Sequence, residues 1–388
     1  MENANGRVYE MANVLGGVQV SDCDGRMIAS PKTTEEVAAI LRYADTNSLR
    51  VETAGAGTKR LWVGTVSGNV VLQTQGLAGV REHSWQDLTA TVGAGTAWGE
   101  MQRVLAQHGQ MVALDPLWSE QATVGGVIAV NDSGALRLRY GSLRDLLIGM
   151  TVVLADGTVA RSGGKVVKNV AGYDLHKLMI GAFGTLAVIS EVTFRLHSIP
   201  KNTRTWTLEA ADANVCGAVL MKVLDSQLSV QAMQMRASTA GFALDVELMC
   251  SEDEVLNEQL RVLDVFAGRA GVVGRAVFGG REQLFAGEGV VVKVTMLASA
   301  IAGLSTEVVR LGGEAITQAT GIMLARFTDT DAIERLRELI GPEGSVGVLR
   351  GMDGTGSPAR VKSAGALMRE IKRRFDAKGT LNPGVVIG

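Results

Sequence analysis

Apolar positions in the first half of the chain recur with two periods, one suited to strands and one to helices. From Thr33, the run TTEEVAAILRYADTN sets Val37, Ile40 and Leu41 on one helical stripe, with Thr34 as the expected cap and acidic residues in the first turn. RVET and NVVLQT, on either side of a glycine-rich loop, read as strands. So does LTATVGAG, ahead of the helix TAWGEMQRVLAQHG that Gly109 closes. LLIGMTVVLADGTVA reads as strands joined by a turn at Asp156-Gly157. A helix-like YDLHKLMIGAF and a strand TLAVISEVTFRLH end this region near Pro200.

From about Asn202 the pattern changes. Strands TRTWTLEA, FALDVELMC, GVVVKVTML, GIMLARF and GSVGVLR alternate with helices near 212–225, 252–268, 300–311 and 330–340. This predicts a two-layer α+β arrangement, an antiparallel sheet with helices on one face. The tail SAGALMREIKRRFDAKGTLNPGVVIG reads as a basic helix and a turn-rich end. The predicted organisation is an N-terminal domain over 1–200, an inserted α+β domain over 201–350 and a C-terminal return over 351–388.

Composition narrows the chemistry. With 46% hydrophobic and 20% charged residues and a net charge of −2, the chain has no electrostatic footprint for nucleic acid or an anionic membrane. At 4% aromatic residues it also lacks base-stacking platforms. Cys23, Cys216 and Cys250 are isolated and odd in number, and His83, His108, His176 and His197 have no metal-ligand spacing, so no metal site is expected. No apolar run approaches the roughly 20 residues of a spanning helix. The opening MENANGRVYE shows no signal pattern, and a cytosolic protein is expected.

Glycine is the outlier, 48 of 388 residues against a usual share of about 7%. The stretch TAGAGTKR, Thr53–Arg60, has the look of a phosphate-gripping loop. It is not a P-loop, since no glycine precedes Lys59 directly and Arg60 stands where Ser or Thr would hold Mg²⁺. It is not a dinucleotide fingerprint either, because Gly55-Ala56-Gly57 supplies only the first half and no helix opens at once. GAGTAWG from Gly93 has the helix, but its last glycine is one place too far. Alone, such a loop reads more often as a turn than as a ligand site.

Three further blocks follow it in order: DPLWSEQATVGGVIAVNDSGALRLRYGSLRD (Asp115–Asp145), GGKVVKNVAGYDLHKLMIGAFGTLAVISEV (Gly163–Val192) and FDAKGTLNPG (Phe375–Gly384). Together the four blocks resemble the p-cresol methylhydroxylase-type FAD-binding domain of the vanillyl-alcohol oxidase superfamily. Within it they are similar to the FAD-binding E-subunit family of bacterial glycolate oxidase. The resemblance implies an α+β fold with an FAD-binding domain of two α+β subdomains and an inserted α+β cap.

It also implies cofactor contacts. Backbone N–H groups of Ala54, Gly55, Ala56, Gly57 and Thr58 would cradle the diphosphate in a nest. Thr123, Gly125, Gly126, Asn131, Asp132, Ser133 and Gly134 would line the other side, and Val188 and Ile189 would meet the adenine edge. Pro116 and Tyr140 are further expected contacts, although Arg139, Tyr140, Arg144 and Asp145 read equally as structural polar groups. Pro383-Gly384 would turn Asn382 toward the flavin.

Two departures from the relatives matter. No histidine lies between positions 1 and 82, so FAD is expected to be noncovalent. From Ser198 onward there is no histidine, whereas related 2-hydroxy-acid dehydrogenases carry a histidine-rich metal set there. No catalytic residue is therefore singled out; Arg326 and Arg350 are candidates to grip a carboxylate, or plain surface arginines. The implied function is a subunit working beside a sister FAD subunit and an iron–sulfur subunit, oxidising glycolate or a similar small 2-hydroxy acid. It would be cytoplasmic and would reach the inner membrane only through partners. A self-sufficient FAD dehydrogenase and a structural or electron-relay subunit are the alternatives.

Overall fold

The computed structural model describes residues 11–14, 16, 18–23, 25–165, 174–274, 278–341, 344–353, 356–357 and 364–385. The opening MENANGRVYE, residues 166–173 of the third block and the last three residues of the tail lie outside them. The chain divides into two α+β units. One comprises Met1–Ser133, Ser142–Ile199 and Lys362–Gly388, the other Gly134–Gly141 and Pro200–Val361.

The first unit holds two principal sheets. One runs in the order Gln19–Cys23, Arg26–Ser30, Val70–Gln73, Val51–Ala54, with the last two pairings parallel. Helix Thr34–Thr46 buries Val37, Ile40 and Leu41 against Val51, Val70 and Leu72 of that sheet. Its cap is Thr33 rather than Thr34. The Thr33 backbone is extended (φ −131°, ψ 162°) and its hydroxyl accepts the Glu36 N–H at 3.1 Å.

The second sheet is antiparallel throughout, in the order Val80–Ser84, Thr89–Gly93, Val188–Arg195, Leu147–Val153, Val159–Gly163. Gly157, at φ +81°, makes the turn between strands Leu147–Val153 and Val159–Gly163. The predicted helix from Tyr173 to Phe183 is not one. Tyr173 lies outside the described residues, and the rest is a 3₁₀ turn over Leu175–Leu178 followed by turns with Gly181 and Gly184 at positive φ.

The tail joins the first sheet. Leu381 bridges to Val51 in parallel, the Val51 N–H donates to Thr380 O at 2.7 Å, and the Asn382 N–H donates to Val51 O at 2.8 Å. The ends of Val51–Ala54 and of the tail therefore emerge side by side, with the glycine loop next in sequence.

The second unit is built on an eight-stranded antiparallel sheet. Its order is Val272–Gly274, Asn202–Ala210, Gly241–Cys250, Val230–Ser238, Glu314–Gln318, Ile322–Phe327, Val290–Thr295, Ser345–Arg350. Trp206, Met233, Leu244 and Val246 bury one face against Leu220, Leu256 and Leu263 of helices Ala213–Leu224 and Asp253–Ala267. Asp245 points the other way. Fully buried, it accepts hydrogen bonds from Thr207 (2.9 Å), Gln234 (3.1 Å) and both ends of the Arg236 fork (2.7 and 3.0 Å). Strand Val230–Ser238, QAMQMR at its heart, alternates correctly, but Gln, Ala and Met are weak strand formers and the pattern escapes sequence prediction.

Candidate functional site

A cleft in the first unit gathers most of the predicted contacts. Its walls include Ala54, Gly55, Ala56, Gly57 and Thr58 from the loop after the Val51–Ala54 strand, and Thr123, Gly125 and Gly126 at the start of helix Val124–Ala129. Ile189 and Asn382 also line it, with Phe183, Gly184 and Ala187 beside them. Val188 faces the core instead, as the alternation of strand side chains requires. Pro116, Asn131, Asp132 and Ser133 lie in the same unit without lining the cleft. Gly134 and Tyr140 belong to the second unit, where the Tyr140 hydroxyl donates to Met249 Sδ at 3.5 Å and burial pushes its pKa up.

The loop fits an anionic ligand. Among the described residues, the N–H groups of Ala56, Gly57 and Thr58 donate to no protein acceptor, an arrangement that leaves three successive donors for a guest. Gly57 stands at φ +77°, and a Cβ there would meet nothing within 4 Å. Gly55 is confined: a Cβ would fall 2.2 Å from Thr123 Oγ1, the oxygen that caps the neighbouring helix by accepting the Gly126 N–H at 3.3 Å. Thr53 Oγ1, also on the cleft wall, is buried with no hydrogen-bond partner among the described residues.

Asn382 closes the cleft. Its side-chain oxygen accepts the Thr53 N–H at 2.7 Å and its amide nitrogen donates to Phe183 O at 2.7 Å. Among the described non-glycine residues six have positive φ, and Asn131, Phe183 and Asn382 are three of them. Phe183 and Asn382 both line the cleft, which places backbone strain at the site.

The positive charge behind the loop is used internally. Arg60 and Arg26 both pair with Glu52, which is 2% exposed. Lys59 is buried, donating to Leu117 O at 2.8 Å and pairing with Asp132 at 3.3 Å. Sequence spacing gives no hint of this, because Asp132 lies 73 positions away. Elsewhere, Asp145 completes a capping box with Ser142, while Arg139 and Arg144 are exposed. In the second unit Arg350 donates to Gly289 O (3.1 Å) and Phe285 O (2.6 Å), and Arg326 donates to Ala286 O and pairs with Glu314 at 2.6 Å. Both arginines tie residues 285–289 to the sheet.

A strand-borne glycine loop, the start of a short helix and the returning tail thus surround one cleft. Residues 25–163 match the family model described as FAD binding domain, and this part of the chain is an FAD-binding domain of the p-cresol methylhydroxylase type. Its cofactor is FAD. Among curated proteins the chain is 33% identical over 208 residues to glycolate oxidase subunit GlcD of Bacillus subtilis, covering 52% of this chain and 44% of that one. It is 38% identical over 172 residues to a D-lactate dehydrogenase of Archaeoglobus fulgidus, covering 44% and 38%. In these matches the chain spans less than half the length of the relative. Among solved structures, chitooligosaccharide oxidase aligns over 99% of both chains with a TM-score of 0.70 at 16% identity. A glucooligosaccharide oxidase from Acremonium strictum aligns over 100% of this chain and 98% of its own, at TM-score 0.70 and 14% identity, a likeness of fold. No described helix is long and apolar enough to cross a membrane.

Proposed function

We propose that this chain is an FAD-binding, E-type subunit of a complex that oxidises glycolate or a similar small 2-hydroxy acid to the 2-oxo acid, beside a sister FAD subunit and an iron–sulfur subunit. The observation that carries the reading is the row of unused N–H donors over Ala56–Thr58, in a cleft closed by Asn382. The named relatives, a glycolate oxidase subunit and D-lactate dehydrogenases, support the substrate class.

In this reading the N–H groups of Ala56, Gly57 and Thr58 face the diphosphate and the Thr58 hydroxyl adds a donor, whereas the first N–H groups of helix Val124–Ala129 are already held by Thr96 O, Ala94 O and Thr123 Oγ1. Thr53 Oγ1 supplies a further polar contact from the buried wall. Asn382 holds the tail against the loop, so the cleft is shaped before the cofactor arrives. When bound, FAD supplies the hydride acceptor for oxidation of the α-carbon. Among the described residues no His or Cys lines the cleft, which favours noncovalent attachment.

Oxidation of a hydroxy acid also needs a cation for the carboxylate and a base for the hydroxyl proton. From Ser198 onward there is no histidine to supply the base, and Arg326 and Arg350 are engaged with protein carbonyls. The division of labour follows: this chain contributes flavin, and the sister subunit performs the substrate chemistry. Purified alone, the chain should carry FAD yet reduce an artificial acceptor with glycolate poorly; co-expression with its partners should restore turnover. Strong glycolate oxidation by the isolated chain would overturn the division, and a chain that takes up no flavin would overturn the whole reading.

A further inference from the structure

Granting the FAD site proposed above, we infer that Lys59 and Asp132 are a positioning pair that sets the glycine loop, and that the Lys59 charge acts on the protein rather than on the cofactor's phosphates. Lys59 follows the loop at once and lines the cleft, which makes it the obvious phosphate ligand by position. Its geometry says otherwise. The side chain is 4% exposed, its ammonium lies 3.3 Å from the Asp132 carboxylate, itself 5% exposed, and it donates to Leu117 O at 2.8 Å. The ammonium also stands 5.8 Å and 5.4 Å from the ring centroids of Trp62 and Trp118.

The pair grips one residue, Leu117, through both of its backbone polar groups. Asp132 accepts the Leu117 N–H at 2.8 Å while Lys59 caps the Leu117 carbonyl. Trp118, the next residue, has φ +52°, and Asn131, just before Asp132, has φ +51°. One positive-φ residue thus adjoins the gripped Leu117 and the other adjoins Asp132, and such strain persists only where neighbouring contacts over-determine it. Trp118 O in turn accepts the Ala122 N–H at 2.7 Å, and the Trp98 N–H donates to Ala122 O, one residue before the helix-capping Thr123. The contact thus runs from the glycine loop, through Leu117 and Trp118, to the opposite wall of the cleft.

The test is FAD titration of the full chain stripped of flavin, followed by flavin absorbance and by the fluorescence of Trp62 and Trp118, at several salt concentrations. Lys59→Met and Asp132→Asn should each weaken FAD binding about tenfold or more, since each removes one member of a buried ion pair. The double variant should recover much of that loss, and Lys59→Arg part of it. The slope of affinity against salt should match the unaltered protein in every variant, because no side-chain charge on the phosphates is being removed. Tighter FAD binding by Asp132→Asn would overturn the inference, for it would mean that a freed ammonium reaches the phosphates. So would a flattened salt slope in Lys59→Met, or a lower melting temperature with unchanged FAD affinity. Failure of the unaltered chain to take up FAD would instead sink the cofactor reading itself, and the role of the pair with it.

Discussion

Asn382 and Thr53, 329 positions apart, share a 2.7 Å hydrogen bond in which the Thr53 N–H donates to the asparagine side-chain oxygen. The same amide donates to Phe183 O, so one side chain joins the chain's tail, the glycine loop and a third turn of the cleft wall. Asn382→Ala would leave a backbone donor and a backbone acceptor unmet, about 1–3 kcal/mol for each that stays buried. The expected result is a loss of FAD affinity of about tenfold or more. Flavin content after purification, with circular dichroism to verify the fold, measures it.

The two loop glycines should fail differently. At Gly57 a side chain meets no protein atom, so Gly57→Ala costs only the left-handed strain, about 1–2 kcal/mol, while its methyl enters the cleft. At Gly55 a methyl collides with Thr123 Oγ1 and disturbs a helix cap. Gly57→Ala should lower the melting temperature of the apoprotein by only a few degrees yet weaken FAD, whereas Gly55→Ala should lower the melting temperature further and weaken FAD as well. Full flavin occupancy in a Gly57→Val protein would show that the loop is a turn and nothing more.

Lys372 locks the tail from the C-terminal helix Gly365–Phe375. Its ammonium donates to Thr185 O (2.6 Å) and Leu381 O (3.1 Å) and pairs with the buried Asp376, whose carboxylate accepts the Thr380 and Leu381 N–H groups at 2.8 Å each. Lys372→Met removes the counter-charge of a buried carboxylate, a change that costs about 3 kcal/mol or more. Denaturant unfolding should show that loss, together with weaker FAD binding because Asn382 follows directly. An unchanged midpoint would argue that the tail is held elsewhere.

Cys216 gives the second unit a signature at high pH. Burial pushes its thiol up to about 11, against about 8.5 for a free thiol. The folded state keeps the proton while the unfolded state releases it. The stabilisation is complete below about 8.5 and is lost as pH rises toward the folded value. Melting temperatures between pH 8 and 11 should fall more steeply for the unaltered protein than for Cys216→Ala. A thiol reagent at neutral pH should label exposed Cys23 and reach Cys216 only on unfolding.

Much of this was legible in the sequence because it is local or carried by motif. The glycine loop, the Asp156-Gly157 turn and the helix from Thr34 follow from short-range rules. What eluded reading is nonlocal. Lys59 looks like a phosphate ligand until Asp132 is brought beside it, and Arg60 until Glu52 is. Phe183, Gly184 and Ala187 line the cleft from within a recognised block, but which of its residues face inward depends on how positive-φ turns orient the chain. Strand Val230–Ser238 was hidden because packing, rather than propensity, makes it a strand.

The most direct measurement is the identity and amount of flavin released by acid or heat from the purified chain. The account predicts a yellow protein that releases FAD, near one per chain, and no flavin left attached to the polypeptide. A colourless protein whose melting temperature does not rise with added FAD would contradict it.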